Sequence, residues 1–179
     1  MNTIDKNEFL KLCLLDDKKL DWISSEYGIG PKVLSEWWNT RDLELHKLIQ
    51  KSNQIFSSKK SSSDFNYFEE RGKRKFFDWY RKQPRVCGYC KIEEEKLKEL
   101  FDGDKPFLET KRHRGKSLEF ERKDTKDGKN VYNEENCILA CYLCNNHKSD
   151  LISEKDFITF FAKNIREYLE AKYDEMKSR

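Results

Sequence analysis

The chain of 179 residues has no run of about 20 apolar residues, which a membrane-spanning helix requires. Its first residues, Met1 to Asp5, lack the basic and apolar regions of a secretory signal peptide. Hydrophobic residues make up 36% of the chain and charged residues 39%, so the core is small for this length. These absences predict a cytoplasmic protein without membrane contact, and a bound metal is a common way to stabilise so lean a domain.

The chain also has little excess of charge of one sign, because its net charge is only +3. Residues 51–90 nevertheless hold ten Lys and Arg against four Asp and Glu, whereas residues 1–50 hold seven against nine. A basic segment of this kind can bind a phosphate backbone without reading sequence. A solvated tether is the alternative interpretation of the same residues.

The chain is predicted to have three parts: a helical module at 1–55, a basic linker at 56–75 and a second domain at 76–179. In the first part, apolar periodicity predicts helices near 5–15, 18–27, 31–39 and 42–55. The linker is predicted from the serine- and lysine-rich run 57–63, which has no periodicity.

The middle helix pair resembles a helix-turn-helix. Ser24 is small enough for two helices to cross closely, and Gly28 accepts the positive φ of a tight turn. The second helix would present to a major groove the polar residues Lys32, Ser35, Glu36, Asn39 and, just beyond its end, Arg41. The acidic balance of 1–50 favours the alternative, a helical bundle that packs on another surface.

In the second domain, residues 116–122 alternate apolar and polar side chains and predict a half-buried strand. Asp127-Gly128 predicts a turn, and Val131-Tyr132 is expected to begin a return strand. A helix is predicted over 154–176, with a buried face of Phe157, Phe160, Phe161, Ile165, Tyr168 and Leu169.

Two Cys-x-x-Cys pairs, Cys87 with Cys90 and Cys141 with Cys144, predict a four-thiolate zinc site. In a reducing compartment such pairs are more often metal ligands than disulfides. Cys13 and Cys137 lie among apolar neighbours and are expected to pack in the core.

Taken with these pairs, the segment Leu118-Glu119-Phe120-Glu121-Arg122, then Asn136, and finally Asn145 directly after the last cysteine resemble the HNH, or ββα-metal, nuclease family over about residues 84–150. The resemblance implies that Glu121 and Asn145 bind a catalytic Mg²⁺ or Mn²⁺, and that Asn136 braces the loop between strand and helix. The implied fold class is α+β, a zinc-stapled ββα nuclease domain with a helical amino-terminal module.

The sequence departs from the family pattern at Arg122, which stands where a catalytic histidine is usual. Arginine stays protonated near neutral pH and is a poor base. Of only three histidines, His113 is the candidate base, because a bend near Gly115 would bring it to the metal. Tyr132 is the second candidate, and Arg122 itself could hold a phosphate oxygen.

The predicted function is a metal-dependent endonuclease that cuts duplex DNA to leave 5′-phosphate and 3′-hydroxyl ends. Further contacts to DNA are expected from the basic residues Lys73, Arg74, Arg112, Arg114 and Lys148. Restriction, homing, phage and defence roles stay open, as do RNA and branched DNA substrates. A homodimer through the aromatic carboxy-terminal helix would suit a double-strand cut, although core packing explains that helix equally well. The alternative is a zinc-containing DNA-binding or regulatory protein without catalysis.

Overall fold

The computed structural model describes residues 3–126 and 130–179, and the chain divides into two compact units, Met1–Lys82 and Gln83–Arg179. The first unit extends beyond the predicted helical module 1–55 because it includes the segment 56–75. The predicted turn at Asp127-Gly128 lies outside the described residues.

Helices make up the first unit. They are α1 Lys6–Leu14, α2 Leu20–Tyr27, α3 Pro31–Asn39, α4 Leu43–Lys59 and α5 Asn66–Tyr80, with a 3-10 turn at Ser63–Phe65. At the start of α1 the side chain of Asp5 accepts the N–H of Glu8 at 2.7 Å, and at the start of α4 Asp42 accepts the N–H of Leu45 at 3.0 Å. Such caps satisfy donors that have no partner within the helix. The four helices predicted before residue 55 are present.

A tight turn joins α2 to α3. Gly28 has a φ of 65°, which costs glycine least of all residues. The Ser24 hydroxyl donates to the carbonyl oxygen of Ile29 at 2.8 Å, and the buried Ile23 and Leu34 belong to one hydrophobic cluster. The predicted pair of helices around a glycine turn is therefore present.

Phenylalanine rings fill the later half of the first unit. Phe65 and Phe68 are fully buried and pack on Phe76 with ring centroids 5.8 and 5.1 Å apart. Phe56, near the end of α4, packs on Phe65 at 5.3 Å. The segment 56–75 differs here from the predicted linker, because these aromatic side chains bury enough apolar surface to hold it in place.

The second unit contains a small antiparallel sheet and four helices among the residues described. They are α6 Glu94–Phe101, β1 Glu119–Arg122, β2 Cys137–Ala140, α7 Tyr142–Lys148, α8 Glu154–Phe160 and α9 Ala162–Lys177. The sheet pairs Glu121 with Ile138. The first strand lies within the predicted 116–122, but the return strand does not begin at Val131-Tyr132. Tyr132 is buried and stacks on Phe120 at 5.1 Å, so it packs against the sheet instead of extending it.

The predicted helix over 154–176 is divided at Phe161, whose φ of −122° is not helical. Phe157 and Leu169 are fully buried, as predicted. The prediction is wrong for three other aromatic residues, which are 66%, 41% and 47% exposed: Phe160, Phe161 and Tyr168. The break prevents one continuous apolar stripe from facing the core. No helix within the two described ranges is long and apolar enough to cross a membrane.

Candidate metal centre and active site

Four cysteine side chains meet at a buried point in the second unit. The Sγ atoms of Cys87, Cys90, Cys141 and Cys144 lie within 4.8 Å of one another, and those of Cys90 and Cys141 are 3.8 Å apart. Sulfurs bound tetrahedrally to zinc at ~2.3 Å are separated from each other by about 3.8 Å. None of the six cysteines forms a disulfide. The predicted four-cysteine cluster is confirmed, and its spacing suits zinc.

Backbone contacts fasten the first cysteine pair to β2. The N–H of Gly88 donates to the carbonyl oxygen of Leu139 at 2.7 Å, and the N–H of Cys141 donates to Cys87 Sγ at 3.2 Å. A Cβ at position 88 would lie 2.0 Å from the side chain of Ile138. Glycine is therefore needed here for this close approach. The positive φ in the knuckle belongs to Lys91, at 64°.

The protonation of the cluster depends on hydrogen bonds between its sulfurs. Hydrogen bonding with Cys141, followed by the other two sulfurs, lowers the pKa of Cys87, whereas hydrogen bonding with Cys141 raises the pKa of Cys144. Zinc binds thiolates and so competes with protons for all four sulfurs. Burial raises the pKa of Cys137, which therefore stays a neutral core thiol, as its apolar neighbours predict.

Acidic side chains lie on one face of β1, and α7 covers this face. Because side chains alternate along a strand, Glu119 and Glu121 point to one side and Phe120 and Arg122 to the other. The side chain of Asn145 in α7 donates from Nδ2 to Glu119 Oε2 at 2.7 Å. The structure thus brings Asn145 to the acidic face, but the carboxylate that it contacts is Glu119.

Glu121 has fewer contacts. Its Oε1 accepts the backbone N–H of Arg122 at 2.9 Å, and within the described ranges this carboxylate has no other hydrogen-bond partner. An oxygen of Glu121 is therefore available to a further ligand. Carboxylate and amide oxygens are the ligands that Mg²⁺ and Mn²⁺ prefer.

Glu119 is held by Arg114, which was predicted to contact DNA. Arg114 Nε donates to Oε1 at 2.9 Å and Nη2 to Oε2 at 2.5 Å, while its guanidinium lies over the ring of Tyr142, 4.9 Å from the centroid. The hydrogen bond with Glu119 raises the pKa of Arg114. Glu119 is absent from the predicted site. It could have been found from the alternation of side chains along the predicted strand, which places Glu119 on the same face as Glu121.

Asn136 fixes the loop between the strands. Its Oδ1 accepts the N–H of Asp124 at 2.8 Å, and its Nδ2 donates to the carbonyl oxygens of Asp124 at 2.8 Å and Val131 at 3.0 Å. Its own carbonyl oxygen accepts the N–H of Lys123 at 2.7 Å. The loop that it braces joins β1 to β2, whereas the resemblance implies a loop between strand and helix.

Arg122 and Tyr132 lie together on the other face of β1. The Arg122 guanidinium lies 4.4 Å from the centre of the Tyr132 ring, and its Nη1 donates to Asn130 Oδ1 at 2.5 Å. Tyr132 is only 3% exposed. Strand alternation therefore separates these two side chains from Glu121.

His113 lies at the surface, on the loop before β1. It has a φ of 50°, and its imidazole Nδ1 is 3.8 Å from Glu109 Oε1. Its side chain is 83% exposed. The predicted bend at Gly115 is present, with a φ of 117°. The residue of this loop that contacts the acidic face of β1 is Arg114, the direct neighbour of His113.

Lys148, which was predicted to contact DNA, is buried in the structure. Only 2% of it is exposed. It lines a cavity of about 110 Å³ together with Lys123, Asp124 and Glu154. Nearby, Tyr89 is buried and packs edge-on against the ring of Phe157. Burial, followed by the charges of Glu154 and Glu121, raises the pKa of Tyr89.

Of the other side chains predicted to contact DNA, some are exposed and others already bind groups within the protein. Exposed are Lys32, Ser35, Asn39 and Arg112. Arg41 donates to the carbonyl oxygen of Trp38 at 2.7 Å and lies over its ring. Lys73 pairs with Asp17, and Arg74 with Asp16 and Glu8. Arg41, Lys73 and Arg74 therefore already have partners within the first unit.

The fold is α+β: a ββα arrangement of β1, β2 and α7, joined to a four-cysteine cluster, follows a helical amino-terminal region. It resembles the solved structure of the rare-cutting HNH restriction endonuclease PacI, which is reported with an extraordinary mechanism of DNA perturbation. The two share 24% sequence identity with a TM-score of 0.52, over 70% of this chain and 81% of that one. No protein-family model and no curated protein matches the chain.

Proposed function

We propose that the protein is a metal-dependent endonuclease that hydrolyses duplex DNA to 5′-phosphate and 3′-hydroxyl ends. One observation carries the proposal: α7 lies on the acidic face of β1, where Asn145 reaches Glu119 at 2.7 Å. An amide and two carboxylates therefore belong to the same face of β1, and the helix that carries the amide also carries Cys144 of the four-cysteine cluster. The fold similarity to an HNH restriction endonuclease supports the same assignment.

In this proposal Glu121 and Oδ1 of Asn145 hold the catalytic Mg²⁺ or Mn²⁺. The bound cation would supply charge stabilisation to the scissile phosphate and to the leaving 3′-oxygen. The chain provides the oxygen ligands, and Asn136 keeps the β1–β2 loop in shape beside them. The zinc cluster supplies structure only, because four cysteines leave no open position for a substrate.

A base must also take a proton from the attacking water. His113 is our candidate, because its imidazole is exposed and it is the neighbour of Arg114, which contacts the acidic face. Tyr132 is buried beneath the guanidinium of Arg122 and against Phe120, which favours a packing role. We expect His113→Ala to lower the cleavage rate by ~100-fold or more, a usual contribution of a general base.

DNA binding is proposed for the exposed side chains of α3, Lys32, Ser35 and Asn39, together with Arg112. A cut through both strands would call for a homodimer. A restriction-type enzyme is one biological role consistent with this chemistry, beside a mobile-element, phage or defence nuclease.

Supercoiled plasmid tests the proposal, with Mg²⁺ or Mn²⁺ present and the cut ends mapped. Glu121→Ala and Asn145→Ala are expected to abolish cleavage while zinc content and helical signal stay unchanged. Glu135→Ala removes an exposed carboxylate between the strands and is the matched control, with activity retained. Cleavage at the parental rate by both site variants would show that the metal site has been assigned to the wrong residues.

A DNA-binding protein without catalysis is the second candidate. It is favoured by Arg122, which lies on the face of β1 away from Glu121 and over Tyr132, where it serves no proton transfer. Such a protein would shift duplex DNA on a gel and leave plasmid intact with every divalent cation tested. Cleavage that depends on Glu121 would eliminate this candidate.

A further inference from the structure

The side chain of Asn145 is held in one orientation by its partner. A carboxylate accepts hydrogen bonds and donates none, so only the NH₂ end of the Asn145 amide can face Glu119 at 2.7 Å. The oxygen end must then point away from Glu119. An oxygen, and not an NH₂ group, is what a hard cation binds. The contact with Glu119 therefore determines which end of the amide is offered to a metal.

Glu119 is itself fixed in place. The fork of Arg114 occupies both of its oxygens, at 2.9 and 2.5 Å, and the second oxygen also accepts the amide of Asn145. Arg114 is supported in turn by the ring of Tyr142, the first residue of α7. The contacts thus run from Tyr142 in α7 to Arg114 in the loop, on to Glu119 in β1 and back to Asn145 in α7. We call this series of contacts the relay.

The two strand carboxylates thus have different environments. Both oxygens of Glu119 are engaged by side chains, whereas Glu121 accepts a single backbone N–H among the residues described. A carboxylate already paired with a guanidinium is a poor metal ligand, because a cation would have to displace the guanidinium. Glu119 is therefore suited to orient a neighbouring ligand, and Glu121 to bind.

We propose that Arg114 and Glu119 are positioning residues that hold the Asn145 amide with its oxygen directed to the cation site shared with Glu121. The inference rests on the proposed function for the identity of that site. Groups that orient metal ligands typically change metal affinity by 10–100-fold when removed. Arg114 thereby acts through Glu119 and Asn145, without touching the metal or the DNA.

The sign of one substitution separates this role from simple electrostatics. A positive charge near a cation site repels the cation, so its removal by Arg114→Gln should strengthen Mn²⁺ binding if charge alone matters. Positioning predicts the opposite, an affinity about 10-fold weaker, because Glu119 and then Asn145 lose their fixed orientation. Arg114→Lys keeps the charge but loses the fork, so it should also weaken binding.

The affinity is measured on zinc-loaded protein by titration with Mn²⁺, following the electron paramagnetic resonance signal of the free ion. Lys116→Gln is the matched control, because it removes a positive charge from the same loop, where Lys116 pairs only with the exposed Asp102 at 3.1 Å among the described residues. It should bind Mn²⁺ as tightly as the parent or slightly more tightly. Parental or stronger binding by Arg114→Gln would overturn the positioning role.

A second readout needs no metal at the site. In ¹⁵N-labelled protein the side-chain NH₂ of Asn145, assigned by its absence from Asn145→Ala, should exchange slowly with solvent and become fast in Arg114→Gln and in Glu119→Gln. Fast exchange in the parent would overturn the relay. Slow exchange together with a parent that binds no Mn²⁺ would keep the relay as a structural contact, refuting both its positioning role and the proposed metal site.

Discussion

The two units of this chain are stabilised in different ways. The first has a buried aromatic cluster built around Phe65, Phe68 and Phe76, and no group of metal-ligating side chains among its described residues. The second has a sheet of two four-residue strands, which is marginal by itself in water. Four cysteines compensate for this small sheet.

The difference follows from where the aromatic residues fall. Among the described residues, eight aromatic side chains are buried in the first unit and four in the second, where Phe160, Phe161 and Tyr168 remain partly exposed. A unit that buries fewer aromatic side chains gains less from the hydrophobic effect, so bound zinc is expected to supply a larger part of its stability. The two units should therefore unfold under different treatments.

The largest expected effect is the loss of zinc. Structural zinc in small domains contributes ~10–16 kcal/mol of binding free energy, so Cys144→Ser, or a strong chelator, should unfold the second unit and leave the helices of the first folded. Hydrogen exchange resolved by peptide measures both units at once. Cys137→Ser is the control: its buried thiol lies outside the cluster, so the zinc should remain. Equal protection in both units after zinc loss would refute the distinction.

A cavity in the aromatic cluster should instead destabilise the first unit and leave the zinc site of the second unit intact. Phe76 is fully buried and packs on Phe56, Phe65, Phe68, Trp79 and Tyr80. Phe76→Ala should lower the free energy of unfolding of the first unit by ~3–5 kcal/mol, since it removes a large ring from a packed core. Urea denaturation followed by circular dichroism measures this loss. One zinc per chain should still be found by elemental analysis, and a reduced zinc content would contradict the prediction.

A smaller effect is expected at the ion pairs that join α5 to α1 and to the residues directly after α1. Arg74 donates from Nε to Asp16 at 3.0 Å and from Nη1 to Glu8 at 2.7 Å, and these hydrogen bonds keep its pKa above the usual range. Arg74→Met should cost the first unit about 1 kcal/mol, because the side chain is one-third exposed and solvent screens the pairs. Thermal melts at low and high salt measure it. Lys47→Met breaks a largely exposed pair with Glu44 and should change the melting temperature little.

The smallest effect is a pH dependence confined to the first unit. Burial, followed by the charge of Arg41, lowers the pKa of His46, whose ring packs on Trp38. The unfolded chain therefore binds a proton more readily than the folded one. The contribution of His46 to stability is present above pH ~6.5 and is lost as the pH falls through the folded pKa. Between pH 7.5 and 5.5 the loss should be well under ~1 kcal/mol, and His46→Gln should remove it from denaturant titrations.

Much of this architecture was readable from the sequence. Cysteine spacing, the helix periodicity before residue 55 and the position of β1 predicted the cluster, the helical unit and the first strand. These features depend on local patterns. The return strand and the exposed aromatic residues of the last helices were mispredicted, because both depend on which surfaces meet in three dimensions.

The roles of Arg114, Lys148 and Gly88 show the same limit. A basic residue in a loop suggests a DNA contact, but the partner of Arg114 is a strand carboxylate that only folding brings near. Lys148 is buried, and the cavity that it lines is formed with Lys123 and Asp124, which precede it by more than twenty residues, and with Glu154, which follows it. Gly88 is required by the side chain of Ile138, fifty residues later, and not by its own turn. Sequence patterns identify such residues without revealing their partners.

The link between Cys87 and Cys141, which are 54 residues apart, bears on biosynthesis. At ~5–20 residues per second the ribosome releases the first cysteine pair about 3–10 s before the second. During that interval the first unit can already fold around its aromatic cluster. The first two zinc ligands, Cys87 and Cys90, have been synthesised by then, but the other two have not. The zinc concentration in the cell at that moment determines how many newly made chains complete their folding. Zinc-starved cells should accumulate molecules in which the first unit is folded and the second unit is unfolded and cleaved by proteases.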